Sequence, residues 1–301
     1  MRVLVTGASG FVGGFTVAEL LRRGHKVLAL VRRPGSEPPG TRAVRGDLLD
    51  AGSLACTLAD AAPECVVHLA AEIGSQRDGA RLERVNVEGM GNFVEACRTS
   101  GGPKVVFCST VVTGDAGGRL LDEATPLPIQ TPYGASKQRG EAMLGESGLD
   151  VAIIRPGHIY GPGGWYASEV VARLRQPGRM AVVGPGENWW DPVHVEDVAA
   201  ALTDAAERAG PGTLLHCADD EPLSYYDFVA ATATELGVGP PRRIPAAVAR
   251  LVAGSGPVAT VTRSARTSNA RLKAELCWSP RWPSSTGGGI AHAVAELAAV
   301  A

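Results

Sequence analysis

The sequence predicts a doubly wound α/β fold, a parallel sheet carrying a smaller, mostly helical C-terminal lobe. Three observations carry that expectation. Six short runs, "RVLVTG", "KVLALV", "CVVHLAA", "KVVFCS", "VAIIRPG" and "TLLHCAD", are almost continuously apolar, as parallel strands buried on both faces must be. Helix-length stretches separate them, among them "GFTVAELLRRG", "VEGMGNFVEACRTSG" and "PYGASKQRGEAML", with Gly24 and Gly101 placed as stops. The alternation then breaks after "RPGHIYGPGG", where proline and glycine crowd and the next apolar strand waits until about residue 213. Insertions after strand ends build binding sites in such folds. The expected division is a sheet domain over residues 1–155, completed by about 191–222, with 156–190 and 223–301 forming a lobe over the carboxyl ends of the strands.

Composition narrows the function classes. The chain has 301 residues, 45% hydrophobic and 20% charged, with a formal net charge of -2. Mixed charge of this kind suits a soluble globular protein and offers no nucleic-acid surface. The locally basic stretch from Arg263 to Lys273 reads as a solvated face. No apolar segment of signal-peptide length opens the chain and no later run is long enough to span a bilayer, so export and membrane insertion are not expected. Cys56, Cys65, Cys97, Cys108, Cys217 and Cys277 are scattered without a close pair, several inside apolar runs. They read as free thiols in a reducing cytoplasm, not as disulfides or metal ligands.

Taken in chain order, the first informative element is the loop "TGASGFVGG" between the first strand and the first helix. Gly7, Gly10 and Gly13 permit a tight turn and a close approach of backbone to a pyrophosphate, which the free N–H groups of a helix amino terminus would hold. The candidate dinucleotide contacts are Gly7, Ser9, Gly10, Phe11, Val12 and Gly13. About twenty residues on, where an NAD-binding chain ends its second strand on an acidic residue, this one reads Val31, Arg32, Arg33. A guanidinium there attracts a 2′-phosphate, and no adjacent carboxylate repels it, so NADP is favoured with NAD as the alternative. "RGDLLD", placed after the third strand, puts Asp47 and Leu48 beside the adenine or makes Asp47 a helix cap. Farther along, Tyr133 and Lys137 stand four apart behind Pro132, on one helical face, so a phenol and an ammonium can share one small site.

"TGASGFVGG", "GDL", "HLAA", "VNVEGMGNFVEAC", "CSTVVTG", "PYGASK" and "IRPGHIYGPG" occur in this order, followed by "PVHVEDVAAAL". Together, from Met1 to about Val198, they resemble the extended short-chain dehydrogenase/reductase family, which has a Rossmann sheet. The resemblance implies Tyr133 as general acid or base, Lys137 lowering its pKa and holding the nicotinamide ribose, and a hydroxyl positioning the substrate oxygen. A phenol titrates near pH ~10, so cationic neighbours are needed before it acts near neutrality. The spacing of the related motif points to Ser109 for the hydroxyl, with Thr110 as second candidate; Thr113 replaces a customary tyrosine. Cofactor contacts implied in the same way are Leu69, Ala70, Ala71, Asn86, Pro156, Gly157 and Ile159. Candidate substrate contacts are Thr110, His158, Trp165, Tyr166 and Trp190, whose rings suit a planar ligand. Tyr160 and Trp189 lie in the same covering segments, and the tryptophan pair also reads as lobe packing. His194 reads first as the anchor of a helix beginning near Glu196.

Dehydratases similar to this family carry an Asp-Glu pair directly after the hydroxyl residue. Here Thr110 and Val111 stand there, which disfavours elimination of water. Three functions stay open: an NADP-dependent reductase or dehydrogenase interconverting ketone and secondary alcohol, a nucleotide-sugar epimerase, and a catalytically idle dinucleotide sensor. The resemblance also implies a homodimer formed through the two helices next to the sheet.

Overall fold

The computed structural model describes residues 1–73, 78–178 and 180–300. Seven strands form one sheet: β1 (Arg2–Thr6), β2 (Lys26–Val31), β3 (Arg42–Arg45), β4 (Cys65–His68), β5 (Lys104–Cys108), β6 (Val151–Pro156) and β7 (Thr213–Cys217). All pair in parallel, in the order β7-β6-β5-β4-β1-β2-β3, the doubly wound topology expected from the apolar runs. Strand order reverses beside β1, so a crevice opens above the carboxyl ends of β1 and β4, where open α/β sheets take their ligands. β3, "RAVR", is not one of the six apolar runs. It forms an edge, is only partly buried, and needs no continuous hydrophobic stretch.

The helices α1 (Phe11–Arg22) and α5 (Val195–Arg208) cover one face, their Val17, Leu20, Val198 and Leu202 packing on Val5, Val67 and Ile154. The helices α2 (Ala51–Ala61), α3 (Gly89–Thr99) and α4 (Pro132–Gly145) cover the other, with Leu54, Leu58, Phe93 and Leu144 on Leu4, Val66 and Phe107. Each such side chain contributes roughly 1.5–3 kcal/mol through burial, which is why runs with no polar face are stable here. A third core lies in the lobe: Tyr160, Tyr166, Val170 and Trp190 pack with Phe228 of α6 (Tyr225–Glu235) and Ile290 of the final helix, α8 (Ile290–Val300). Between α6 and α8, α7 (Ala270–Leu276) sends Leu272 and Leu276, followed by Trp278, back into the core over the sheet.

From residue 158 onward the chain holds more strand than the sequence suggests. His158–Tyr160 pairs with Pro192–His194, Ala181–Val183 with Arg242–Ile244, and Trp189–Trp190 with Leu223–Ser224. Runs of two or three residues are too short to show a period. The basic stretch also departs from expectation at its first member. Arg263 is 2% exposed and pairs with Asp191 at 2.9 Å, while Arg271 is exposed as a solvated face requires. No helix among the described residues is long and apolar enough to cross a membrane.

Candidate active site

The glycine turn is built by close approach. Gly7 has φ of 69°, in the left-handed region, and a Cβ there would lie 2.8 Å from the Ala70 nitrogen. A Cβ on Gly13 would lie 2.1 Å from the Gly7 carbonyl oxygen, so α1 reaches the strand end only without one. Gly10 caps α1 and offers no side-chain acceptor, so the first N–H groups of the helix stay free for an anion. The turn is braced from β4. Thr6 Oγ1 accepts the Leu69 and Ala70 N–H groups at 3.1 Å each and contacts His68 Nδ1 at 3.0 Å. Burial, helped by nearby Lys137, holds His68 neutral with its pKa pushed down to about 3.

Arg32 and Arg33 follow β2 directly, both exposed, with no carboxylate paired to either among the described residues. Asp47 is not the helix cap. Asp50 takes that role by accepting the Ser53 N–H, while Asp47 closes its own turn by accepting the Leu49 N–H at 3.0 Å. Leu48 is buried beneath it. Asn86, 6% exposed, accepts the Glu72 N–H and donates to the Glu72 carbonyl and to Ser136 Oγ. It thereby ties the segment after β4 to α4, and its amide is fully engaged.

α4 starts as its sequence dictates: Thr131 caps it by accepting the Gly134 N–H at 3.0 Å, and Pro132 fills the first turn. That start places Tyr133 and Lys137 on the side facing the end of β5. Lys137 is 3% exposed, with Nζ 4.1 Å from the centroid of the Phe107 ring, and makes no ion pair among the described residues. Burial pulls its pKa down to about 8, against the opposing pull of Cys108 and Glu141. Burial, and secondarily Cys108, raises the pKa of Tyr133. In the protein alone, then, the phenol is less acidic than usual, and the lowering expected from Lys137 is not seen. The Cys108 thiol, also raised by burial, acts electrostatically on both groups, an influence the sequence reading missed although the residue adjoins Ser109.

The candidate hydroxyls are more constrained than the motif suggests. Ser109 is 2% exposed and donates to Glu141 Oε1; Glu141 in turn binds Arg155 Nε at 2.9 Å. Thr110 Oγ1 accepts the Val112 N–H and donates to the Pro156 carbonyl. Thr113 Oγ1, packed against Gly134 at the head of α4, is fully buried and has no partner among the described residues. Val111 occupies the place where a second carboxyl would stand, wholly buried.

Pro156, Gly157 and Ile159 carry the chain from β6 toward the lobe. A Cβ on Gly157 would lie 2.2 Å from the Asp191 carbonyl oxygen. His158 Nδ1 lies 2.8 Å from Asp191 Oδ1, and its ring stacks on Trp190 with centroids 3.4 Å apart. Burial lowers the His158 pKa despite Asp191, so the ring is neutral, and its buried Nε2 has no partner among the described residues. Trp165 donates to the Ile159 carbonyl at 2.6 Å. Tyr166 is wholly inside the lobe core with its hydroxyl 3.1 Å from Thr232, which leaves it no ligand-facing surface in this arrangement. His194 caps α5 by accepting the Glu196 N–H.

Sequence reasoning missed Arg263, which completes the floor of this region. Its guanidinium donates to the Gly114 and Val111 carbonyls and to both oxygens of Asp191, and Thr267 donates to Asp191 as well. One buried cation thus joins the loop after β5 to the histidine after β6.

A family model described as the NAD dependent epimerase/dehydratase family matches residues 3–216. The chain is 33% identical over 301 residues to a 3-diazoavenalumate denitrifying reductase of a Streptomyces species, covering 96% of this chain and 99% of that one. It is 30% identical to a UDP-glucose 4-epimerase of Mycolicibacterium smegmatis, covering 93% and 94%. Among solved structures, the UDP-glucose 4-epimerase of Thermus thermophilus in complex with NAD superposes with a TM-score of 0.84 at 28% identity, over 100% of both chains.

Proposed function

Since the chain belongs to the NAD dependent epimerase/dehydratase family and is an enzyme of the extended short-chain dehydrogenase/reductase type, we propose that it is an NADP-dependent reductase of a small carbonyl substrate. The observation that carries this reading is Lys137, a buried ammonium one helical turn from Tyr133 with no carboxylate paired to it among the described residues. Burying such a charge unpaired is costly, and a ribose hydroxyl brought there by a dinucleotide would repay it. The residues around the crevice fit that cofactor. The free N–H groups at the start of α1 would hold the pyrophosphate, Arg32 and Arg33 the 2′-phosphate, and Lys137 the nicotinamide ribose. Bound there, the dinucleotide supplies the hydride, delivered to the carbonyl carbon.

Tyr133 gives the carbonyl oxygen its proton, so ketone, hydride and proton become a secondary alcohol. Ser109 orients that oxygen once its hydroxyl leaves Glu141, with Thr110 as second candidate. Trp190, 3% exposed and packed against His158 and Tyr225, belongs to the lobe core and backs His158, which Asp191 holds beside the end of β6. One relative covered nearly end to end is named a reductase, which supports net reduction. An epimerase is the second reading, favoured by the epimerase structure with NAD.

The test compares dissociation constants and net redox change. NADP should bind more tightly than NAD, by at least about tenfold given a charge-assisted contact to the 2′-phosphate, and Arg32→Ala with Arg33→Ala should erase the difference. NADPH absorbance should fall in proportion to product with a carbonyl panel and an aryl diazo compound. Tighter NAD, or turnover of a UDP-sugar without net cofactor change, would replace this reading by the epimerase. A homodimer through α3 and α4 is part of the same proposal, read by light scattering.

A further inference from the structure

The C-terminal helix carries a group that hydride transfer does not use. His292 and Glu296 stand four apart on α8 and so share a face, and both lie beside Glu196 from the first turn of α5. Nε2 of His292 lies 3.4 Å from Glu196 Oε1 and 3.6 Å from Glu296 Oε1. All three donor atoms fall within 4.8 Å of one another. An N–H···O hydrogen bond runs about 2.7–3.2 Å, so the imidazole makes one long hydrogen bond to Glu196 and lies farther still from Glu296. Two ligands bound at about 2.0–2.1 Å to one tetrahedral ion stand about 3.3–3.4 Å apart; the two imidazole–carboxylate spacings are near that edge, and the two carboxylates lie within 4.8 Å.

Two further features prepare the group for a cation. Trp282 stacks on His292 with centroids 4.6 Å apart, and its Nε1 donates to Glu196 Oε2 at 2.9 Å. One indole therefore fixes two of the three ligands from behind, as outer partners of metal ligands do. Glu196 and His292 have 23% and 24% of their side-chain surface exposed and Glu296 44%, so an ion can enter from solvent with a water still attached. The nearest competing cation, Arg281, touches only the other oxygen of Glu196, at 3.4 Å, and is 68% exposed, free to swing aside.

We propose that Glu196, His292 and Glu296 bind one divalent ion of the zinc class, with water as fourth ligand. The imidazole and the low ligand count select zinc over magnesium or calcium, which take more oxygen ligands. Bound there, the ion fastens the last helix of the lobe to the helix that covers the sheet. The site shares no residue with the proposed hydride chemistry, so the two readings stand or fall separately.

The experiment uses the full chain without an affinity tag, stripped with chelator and titrated calorimetrically with zinc chloride. One equivalent should bind, the unfolding midpoint should rise by on the order of 5 °C, and magnesium should do neither. His292→Ala and Glu296→Gln should each weaken zinc at least about tenfold. Glu296→Gln, on the exposed side, should leave the metal-free midpoint within about 2 °C and the dinucleotide affinity unchanged. Cys56 and Cys277 are exposed thiols, so cobalt(II) serves as a second probe. Ligation by nitrogen and oxygen gives weak visible bands without thiolate charge transfer. Absence of uptake, uptake unchanged in both variants, or a thiolate band would overturn the proposal.

Discussion

Lys137 holds its charge where burial works against it, and that conflict has two measurable consequences. Its pKa is pulled down from 10.5 to about 8, so the folded protein disfavours the protonated form. Protonation therefore costs stability below about pH 8, a cost that fades as pH rises from about 8 to 10.5. Lys137→Met should stabilise the dinucleotide-free protein at pH 7 by up to roughly 3 kcal/mol while abolishing turnover, read by denaturant unfolding beside an activity assay. Equal or lower stability of the variant would show that the ammonium is not strained. The same shift affects binding: the protonated lysine donates to a ribose more strongly than the neutral amine, so dinucleotide affinity should weaken above pH 8, by at most about tenfold per pH unit, and this dependence should vanish in Lys137→Met. Tyr133 differs in kind. Tyr133→Phe removes only the hydroxyl, so turnover should fall by about 100-fold or more with cofactor affinity nearly intact; retained turnover would remove it as the acid.

Helix α5 shows what an element adds to its residues. His194 caps it, Glu196 and Asp197 place negative charge in its first turn, and Asp197 accepts the Arg281 N–H at 2.6 Å and the Trp282 N–H at 3.0 Å. The helix start thereby pins the chain that leads into α8. Asp197→Ala leaves two backbone donors without their acceptor, and should cost about 2–4 kcal/mol in thermal or urea unfolding; a change under about 1 kcal/mol would show that water replaces them. At this scale the sequence was informative wherever a local rule decides the structure. The glycine turn, the Pro132 start of α4 and the histidine at the start of α5 follow from sterics and capping, and they were legible; the Thr131 cap was not read. The contacts that cross the chain were not. Glu141 reads as a polar position on a helix face, and only the fold brings it to Ser109 and Arg155. Arg263 reads as one arginine in a basic stretch because its partner lies 72 positions away.

That distant pair sets how the molecule holds together as a whole. Asp191 is 2% exposed, and burial alone would raise its pKa, yet Arg263 and His158 overcome this and hold it well below the usual aspartate range. A depressed folded pKa means that the pair's stabilisation is complete above about pH 4 and is lost as acid titrates the carboxylate. Through Arg263 the segment between the lobe helices grips the Val111 and Gly114 carbonyls, and through His158 the same carboxylate grips the end of β6. The start of the lobe is thus clamped to the sheet by one ion pair with no solvent to replace it. Arg263→Met strands a buried anion and should cost about 3–5 kcal/mol, with Arg263→Lys recovering little because a point charge cannot reach four acceptors at once. Asp191→Asn in the Arg263→Met background removes the stranded charge, so the double variant should regain part of that loss. If the two losses simply add, the clamp is not a coupled unit. Unfolding free energies of the four proteins at pH 7 close the cycle and decide the matter.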